Sequence, residues 1–249
     1  MSALLPFPDR TAAGIELGRA VAAWLAGTPP LAVGPPPLAV GPPPLAVAPP
    51  PLAVAPPPGP IVVLGIPRGG VVVAAEVALV LKAPLDVLVA HKIGAPGNPE
   101  FAIGAVTADG TVLVAAWALR ETGLSPTAID ELAAREVEAA VAREGRLRAG
   151  RPPLSLVGTT AILVDDGLAT GATVHAAVLA ARARGAARVV VAAPVASREA
   201  LARLERVADA VVVVAVPDRF HAVGQWYGSF SQVEDEAVRR LLAVDPAGR

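Results

Sequence analysis

Two adjacent carboxylates, Asp165 and Asp166, end the apolar run Ala161-Ile162-Leu163-Val164 and lead into a loop of small residues, Gly167-Leu168-Ala169-Thr170-Gly171-Ala172-Thr173. The loop opens a helical pattern, so its last backbone N–H groups lack intrahelical acceptors and carry the positive end of the helix dipole. That geometry suits a phosphate monoester, with Thr170 and Thr173 adding hydroxyl donors and Gly171 permitting close approach. The two acids would repel a phosphate, but they accept well from a pair of vicinal hydroxyls. A ribose 5-phosphate meets both requirements, with its phosphate on the loop and its 2- and 3-hydroxyls on the acids.

Two further loops carry cations. Gly65-Ile66-Pro67-Arg68-Gly69-Gly70 lies between a strand pattern and a helix pattern, and offers backbone donors with one guanidinium suited to bidentate phosphate contact. His91-Lys92-Ile93-Gly94-Ala95-Pro96-Gly97-Asn98-Pro99-Glu100 begins with basic groups and runs into a Gly/Pro segment with the composition of a loop that closes over a ligand. Two cationic loops facing a sugar-phosphate loop point to a second anion on the same ligand. A ribose 5-phosphate that carries pyrophosphate fits.

Such loops need a sheet to hold them. Short Val-rich strand patterns fall at 61–64, 86–90, 160–164, 188–192 and 210–214. Helical patterns fall at 9–25, 69–81, 126–148, 171–184, 198–207 and 233–242. The stretch 94–123 is less regular, with strand patterns at 102–106 and 112–114. This alternation predicts an α/β fold with a mainly parallel sheet flanked by helices, whose ligands bind at the carboxyl ends of the strands. In the helix at 126–148, Ser125 is the expected N-cap, and the mixed charges from Asp130 to Glu144 are explained by a solvated face.

The remaining sequence sets the boundaries. From Leu31 to Pro58 the chain repeats LAVGPPP, LAVGPPP, LAVAPPP, LAVAPPP, and three prolines per unit exclude helix in favour of extended polyproline geometry. The expected organisation is an N-terminal helical segment, 1–28, packing on the core; a Pro-rich insertion, 29–58, expected to be disordered; and the main domain, 59–249. Among 249 residues the formal net charge is −1, which argues against a generally basic nucleic-acid binder. There is no cysteine, and His91, His175 and His221 lack metal-ligand spacing. The prolines also break the one long uncharged stretch, so the expectation is a soluble, cytoplasmic protein with no membrane or nucleic-acid partner.

The run ILVDDGLATGAT resembles the 5-phosphoribosyl-1-pyrophosphate (PRPP) signature of type I phosphoribosyltransferases: hydrophobic strand, two acids, then a loop ending T-G-x-T. GIPRGG is similar to that family's pyrophosphate loop. PRGG, HKIGAPGNPEFAIGAV and VDDGLATGAT together resemble a bacterial subgroup of such proteins, from about Ile61 to the C-terminal region and excluding the repeat. The resemblance implies a Rossmann-like phosphoribosyltransferase fold with a small hood or flap. It implies a pentosyltransferase, a glycosyltransferase of nucleotide metabolism, that moves phosphoribosyl from PRPP to a small nitrogenous acceptor with release of pyrophosphate.

By the same resemblance Asp165 and Asp166 hold the ribose hydroxyls and Gly167 to Thr173 hold the 5-phosphate. Arg68, Gly69 and Gly70 hold pyrophosphate, with a cis peptide expected at Pro67–Arg68, and Lys92 assists its departure. Asp165, Asp166, Arg68 and Lys92 are thus the catalytic candidates. Magnesium is expected to arrive largely with PRPP, with Asp165 or Asp166 as candidate direct ligands, and relatives commonly form homodimers. In 6-oxopurine-type enzymes an acid stands three positions after the second aspartate; here that position is Ala169, so that substrate class loses support.

The aromatics between Phe220 and Phe230 suit either stacking on a planar acceptor or capping the sheet, and core packing is the commoner use. A non-catalytic sensor of PRPP or nucleotides on the same fold is the alternative reading, since fold does not guarantee turnover. Arg68 and Lys92 favour the enzyme. An aspartate-dependent phosphatase would want its acids two residues apart, which Asp165-Asp166 does not satisfy.

Overall fold

In the computed structural model, residues 6–27, 59–114 and 122–244 are described; the Pro-rich insertion expected at 29–58 lies outside the described residues. In chain order the elements are α1 (Arg10–Leu25), β1 (Ile61–Gly65), α2 (Gly69–Leu81), β2 (Leu85–Val87), β3 (Ala90–Ala95), β4 (Asn98–Thr107) and β5 (Val112–Val114). They continue with α3 (Pro126–Arg148), β6 (Thr160–Val164), α4 (Ala172–Ala183), β7 (Arg188–Val195), α5 (Arg198–Leu204), β8 (Ala210–Ala215) and α6 (Asp235–Ala243). A short 3₁₀ turn, Val223–Trp226, precedes α6.

Five strands pair in parallel in the order β2-β1-β6-β7-β8. Val63 lies opposite Ile162, and Ile162 opposite Val190. Successive side chains on a strand point to opposite faces, so continuous apolar runs bury both. Val63, Ile162, Val190 and Val212 pack with residues of α1, α2 and α6, whereas Leu64, Leu163, Val191 and Val213 pack with α4 and α5. No helix among the described residues is long and apolar enough to cross a membrane.

Helix α1 starts from Asp9, whose Oδ1 accepts from the Ala12 N–H at 2.8 Å. Gly14 and Gly18 let α1 sit directly on α2. A Cβ at Gly14 would lie 2.8 Å from Glu76 Cβ, and one at Gly18 would lie 2.9 Å from Val80 Cγ2.

A small antiparallel sheet, β3-β4-β5, forms the hood, where Ile93, Ile103 and Val106 pack against Ile129 and Ala133 of α3. Two expectations are corrected here. The strand at 86–90 stops at Val87, where β1 ends at Gly65 directly opposite; the Leu88 N–H makes a last bond to the Gly65 carbonyl at 3.2 Å, and the Val89 N–H turns to Glu144. The Gly/Pro stretch after His91 is not an open loop but the β3–β4 hairpin, which turns at Pro96-Gly97 with Gly97 at φ +79°. Pairing with β4 satisfies backbone groups that a loop would leave to solvent.

The C-terminal end of α3 is tied to the sheet by a buried ionic cluster. Arg148 Nε and Nη2 donate to Asp86 Oδ1 and Oδ2 at 2.8 and 3.1 Å, and Nη2 also donates to the Val87 carbonyl at 2.8 Å. The Asp86 carboxylate also accepts from the Val87 and Leu154 N–H groups, at 2.8 and 2.9 Å. Glu144 accepts from Arg148 through one oxygen and from the Val89 N–H through the other.

Candidate active site

The loops after β1 and β6 emerge side by side because those strands are hydrogen-bonded neighbours in register. The hood brings the start of β3 over them. Pro67, His91, Lys92, Asp165 and Thr173 accordingly line one cleft of about 480 Å³. Residues more than 100 positions apart in sequence meet because parallel strands present their carboxyl ends on one edge.

Asp165 sits at the cleft floor, and its Oδ1 accepts from the Asp166 N–H at 2.8 Å. Burial pushes the Asp165 carboxyl well above the usual carboxylate range, and the neighbouring Asp166 charge adds to the rise. Burial also raises Asp166, against the opposing pull of Arg10. Two acids this close in a partly dry site hold less than their full pair of negative charges where isolated carboxylates would both ionise.

Arg10, at the start of α1, donates from Nε to Asp166 Oδ2 at 2.7 Å and from Nη1 to the Ser231 carbonyl at 2.8 Å. Its guanidinium stacks on Phe230, with Cζ 3.8 Å from the ring centroid. The Tyr227 hydroxyl donates to the Asp166 carbonyl, and the buried Phe7 ring packs on Tyr227 with centroids 5.8 Å apart. Backbone bonds from Phe7 N to the Trp226 carbonyl (2.8 Å) and from Gly228 N to the Phe7 carbonyl (2.7 Å) join the segment before α1 to the segment before α6. The aromatic segment therefore caps the sheet and buttresses Asp166.

The β1–α2 loop is pressed against the same acids, and the Pro67–Arg68 peptide is cis. A Cβ at Gly69 would fall 1.8 Å from Asp166 Oδ2, and one at Gly70 would fall 2.7 Å from the Val164 carbonyl oxygen. These glycines are a steric requirement of the close approach. Arg68 points away from Asp165: its Nη1 lies 4.0 Å from Asp235 Oδ1, and it lines an adjoining cavity.

In the β6–α4 loop, Gly171 adopts φ +72° as the N-cap of α4, a left-handed conformation that favours glycine. Ala169 and Thr170 are exposed at the tip. Leu168 is different: it is buried, and its N–H and carbonyl bond to Val195 and Ser197. The Ser197 hydroxyl donates to the Ala169 carbonyl at 2.6 Å. Leu168 thus anchors the loop, while the turn from Thr170 to Thr173 presents donors at the head of α4.

Sequence reasoning missed Arg10, Tyr227 as a partner of Asp166, and Arg143, which reaches the cleft from α3. Arg10 had no local signal beyond its place beside an N-capping aspartate. Arg143 was concealed by the ordinary charge pattern of its helix. No cluster of three or more metal-ligating side chains occurs among the described residues. The Asp165 carboxylate at the cleft floor, with the Asp166 N–H as its one hydrogen-bond donor among the described residues, is a hard oxygen donor that suits Mg²⁺.

Residues 57–227 match the family described as "Phosphoribosyl transferase domain". The chain is 47% identical over 182 residues to "Putative phosphoribosyl transferase Rv0571c" of Mycobacterium tuberculosis strain H37Rv, and equally to the corresponding protein of strain CDC 1551. The match covers 73% of this chain and 41% of each relative, so the chain spans about two fifths of their length. The crystal structure of TT1426 from Thermus thermophilus superposes with a TM-score of 0.72 at 40% identity, covering 95% of this chain and 97% of that one.

Proposed function

The chain belongs to the phosphoribosyl transferase domain family, and on that premise we propose that it transfers 5-phosphoribosyl from PRPP to a nitrogenous base or amine, with Mg²⁺, releasing pyrophosphate. The observation that carries this reading is the single cleft in which Asp165 and Thr173 stand opposite Lys92 and the Pro67–Arg68 turn. In that cleft a sugar phosphate has an acid pair for its hydroxyls and a helix head for its 5-phosphate, while cations border the leaving group.

In the reaction a bond forms from the acceptor nitrogen to the anomeric carbon as the bond from that carbon to the pyrophosphate oxygen breaks. The electron pair leaves with pyrophosphate, and the acceptor nitrogen gives up a proton. Positive charge grows on the ribose ring in the transition state, where Asp165 and Asp166 lower its energy. Asp166 takes part while bound to Arg10, so its free lone pairs accept a ribose hydroxyl and the guanidinium keeps the carboxylate oriented. Lys92 and Arg68 stabilise the departing charge, and Gly69 and Gly70 keep the loop close to the acids. Asp165 would hold Mg²⁺, and the metal would supply charge neutralisation of the leaving group. Ala169 offers no carboxylate to an acceptor, which favours acceptors other than 6-oxopurines.

Calorimetric titration of PRPP with Mg²⁺ into the wild type and the Asp165→Asn/Asp166→Asn double variant tests the reading. Tight wild-type binding, weakened about 100-fold or more in the variant, is expected from the loss of two charge-assisted acceptors. A screen of bases and amines for pyrophosphate release then separates an enzyme from a sensor that binds without turnover. Absence of wild-type binding across several pH and metal conditions would remove the foundation of the proposal.

A further inference from the structure

Three hydrogen bonds tie the β6–α4 loop to the segment that follows β7. The Leu168 N–H donates to the Val195 carbonyl at 2.9 Å, and the Ser197 N–H donates to the Leu168 carbonyl at 2.8 Å. The Ser197 hydroxyl donates to the next carbonyl of the loop, that of Ala169, at 2.6 Å. One residue, 28 positions beyond Ala169, thus holds two successive carbonyls of the loop.

A trans peptide is planar, with its N–H directed opposite to its carbonyl. Because the Leu168 and Ala169 carbonyls both turn to Ser197, the Ala169 and Thr170 N–H groups both point the other way. Neither N–H has an acceptor among the described residues, and both residues are exposed. Successive N–H groups on one side of a chain form a concavity that holds an anion. Two carbonyl dipoles set side by side repel each other unless donors meet them, and Ser197 supplies both donors.

The hydroxyl is itself fixed. Ser197 is the N-cap of α5, and its Oγ accepts from the Ala200 N–H at 2.9 Å. A serine hydroxyl has one proton to donate, so accepting from Ala200 leaves that proton for Ala169 and polarises it toward the carbonyl. The same helix backs the other end of the loop: a Cβ at Gly171 would lie 3.2 Å from Leu204 Cδ1 and 3.5 Å from Ala200 Cβ.

From these bonds we infer that Ser197 is a positioning residue for the 5-phosphate: it holds the Leu168 and Ala169 carbonyls back, so that the Ala169 and Thr170 N–H groups are preset toward the ligand. The inference rests on the phosphoribosyl reading, which puts a phosphate monoester on this loop. It adds a residue outside the loop that acts through Ala169 and does not touch the ligand. Donors already in place spare the ligand the cost of ordering them, so the effect falls on affinity for the phosphate end.

The test uses ribose 5-phosphate, inorganic phosphate and PRPP with Mg²⁺, titrated calorimetrically into the wild type, Ser197→Gly and Ser197→Thr, each beside a thermal melt. Glycine is a tolerable N-cap without a hydroxyl, whereas threonine keeps both the cap and the donor. Ser197→Gly is expected to bind ribose 5-phosphate about tenfold more weakly, the loss of one organising hydrogen bond, while Ser197→Thr stays close to the wild type. Amide NMR adds a readout that a purely structural role would not move. Ribose 5-phosphate should shift the Ala169 and Thr170 N–H resonances in the wild type and Ser197→Thr, and far less in Ser197→Gly. Should Ser197→Gly fail to fold, the wild-type spectrum still decides: unshifted Ala169 and Thr170 resonances at saturating ligand would overturn the inference. Equal affinity in the wild type and Ser197→Gly, or a loss that Ser197→Thr shares, would overturn it too and leave the phosphoribosyl reading intact. Inorganic phosphate held in a Ser197-dependent way by a protein that ignores PRPP would leave the positioning role standing and sink the transferase reading. A wild type that binds none of the three probes would overturn both.

Discussion

Two arginine–carboxylate clusters, one buried and one part-buried, sit on the carboxyl edge of the same sheet, and they are built to different degrees of completion. At the β2 end, Arg148 meets both oxygens of Asp86 and a carbonyl, while the Asp86 and Glu144 carboxylates also take backbone N–H groups. At the β6 end, Arg10 meets one oxygen of Asp166, and beside it Asp165 has the Asp166 N–H as its donor among the described residues. Glu144 and Arg148 of the first cluster line a separate hollow of about 290 Å³ with Gly145 and Arg151, whereas Asp165 beside the second lines the cleft that Thr173 of the phosphate loop also lines. A closed set of bonds holds α3 to the sheet. An open set leaves acceptor capacity and raised carboxyl pKa values where a ligand can use them.

The largest expected effect comes from breaking the closed cluster. Arg148→Met strands Asp86 and Glu144 in a buried setting, and urea unfolding should show a loss of about 3–5 kcal/mol. An equal loss on removing Arg10 would erase the distinction between the clusters. Arg10→Gln should cost less, about 1–2 kcal/mol, because glutamine retains a donor and the Arg10–Asp166 pair is only part-buried. Its clearer signature would be weaker PRPP binding with the fold intact, read by calorimetry beside a thermal melt.

The third expectation concerns sign. Asp165 and Asp166 both have raised pKa values in the folded protein, chiefly through burial. Between the ordinary carboxylate pKa and the raised values, the folded state binds more protons than the unfolded one, so stability falls as pH rises through that window. Asp165→Asn should flatten this fall and make the protein more stable than wild type at neutral pH, as read from urea midpoints across pH. A variant that loses stability at neutral pH would show that the acid contributes to the fold as Asp86 does.

Much of the architecture was legible along the chain. Val-rich strands alternating with helices imply a parallel sheet, since both faces must be apolar, and the acids and glycines of the β6–α4 loop are contiguous. Local chemistry also placed Ser125 at the head of α3, where its hydroxyl accepts from the Ala128 N–H at 3.1 Å. The β3–β4 hairpin was harder to read because Pro96 and Gly97 mark a turn whether the flanking residues pair or not. Its pairing depends on β4 and on the face that α3 covers.

By itself the sequence determined the alternation of elements and the contiguous loops after β1 and β6, because period, turn chemistry and helix-start signals act over a few residues. Only the tertiary structure decided that Arg10 would reach Asp166, 156 positions away, and stack on Phe230 near the other chain end. It alone turned Arg68 toward Arg143 and Arg146 rather than toward Asp165. An arginine's side chain is long and compatible with either solvent or a partner, so its sequence neighbours do not choose between them. The packing of α1 on α2, and of the hood and α3 over the sheet edge, makes that choice.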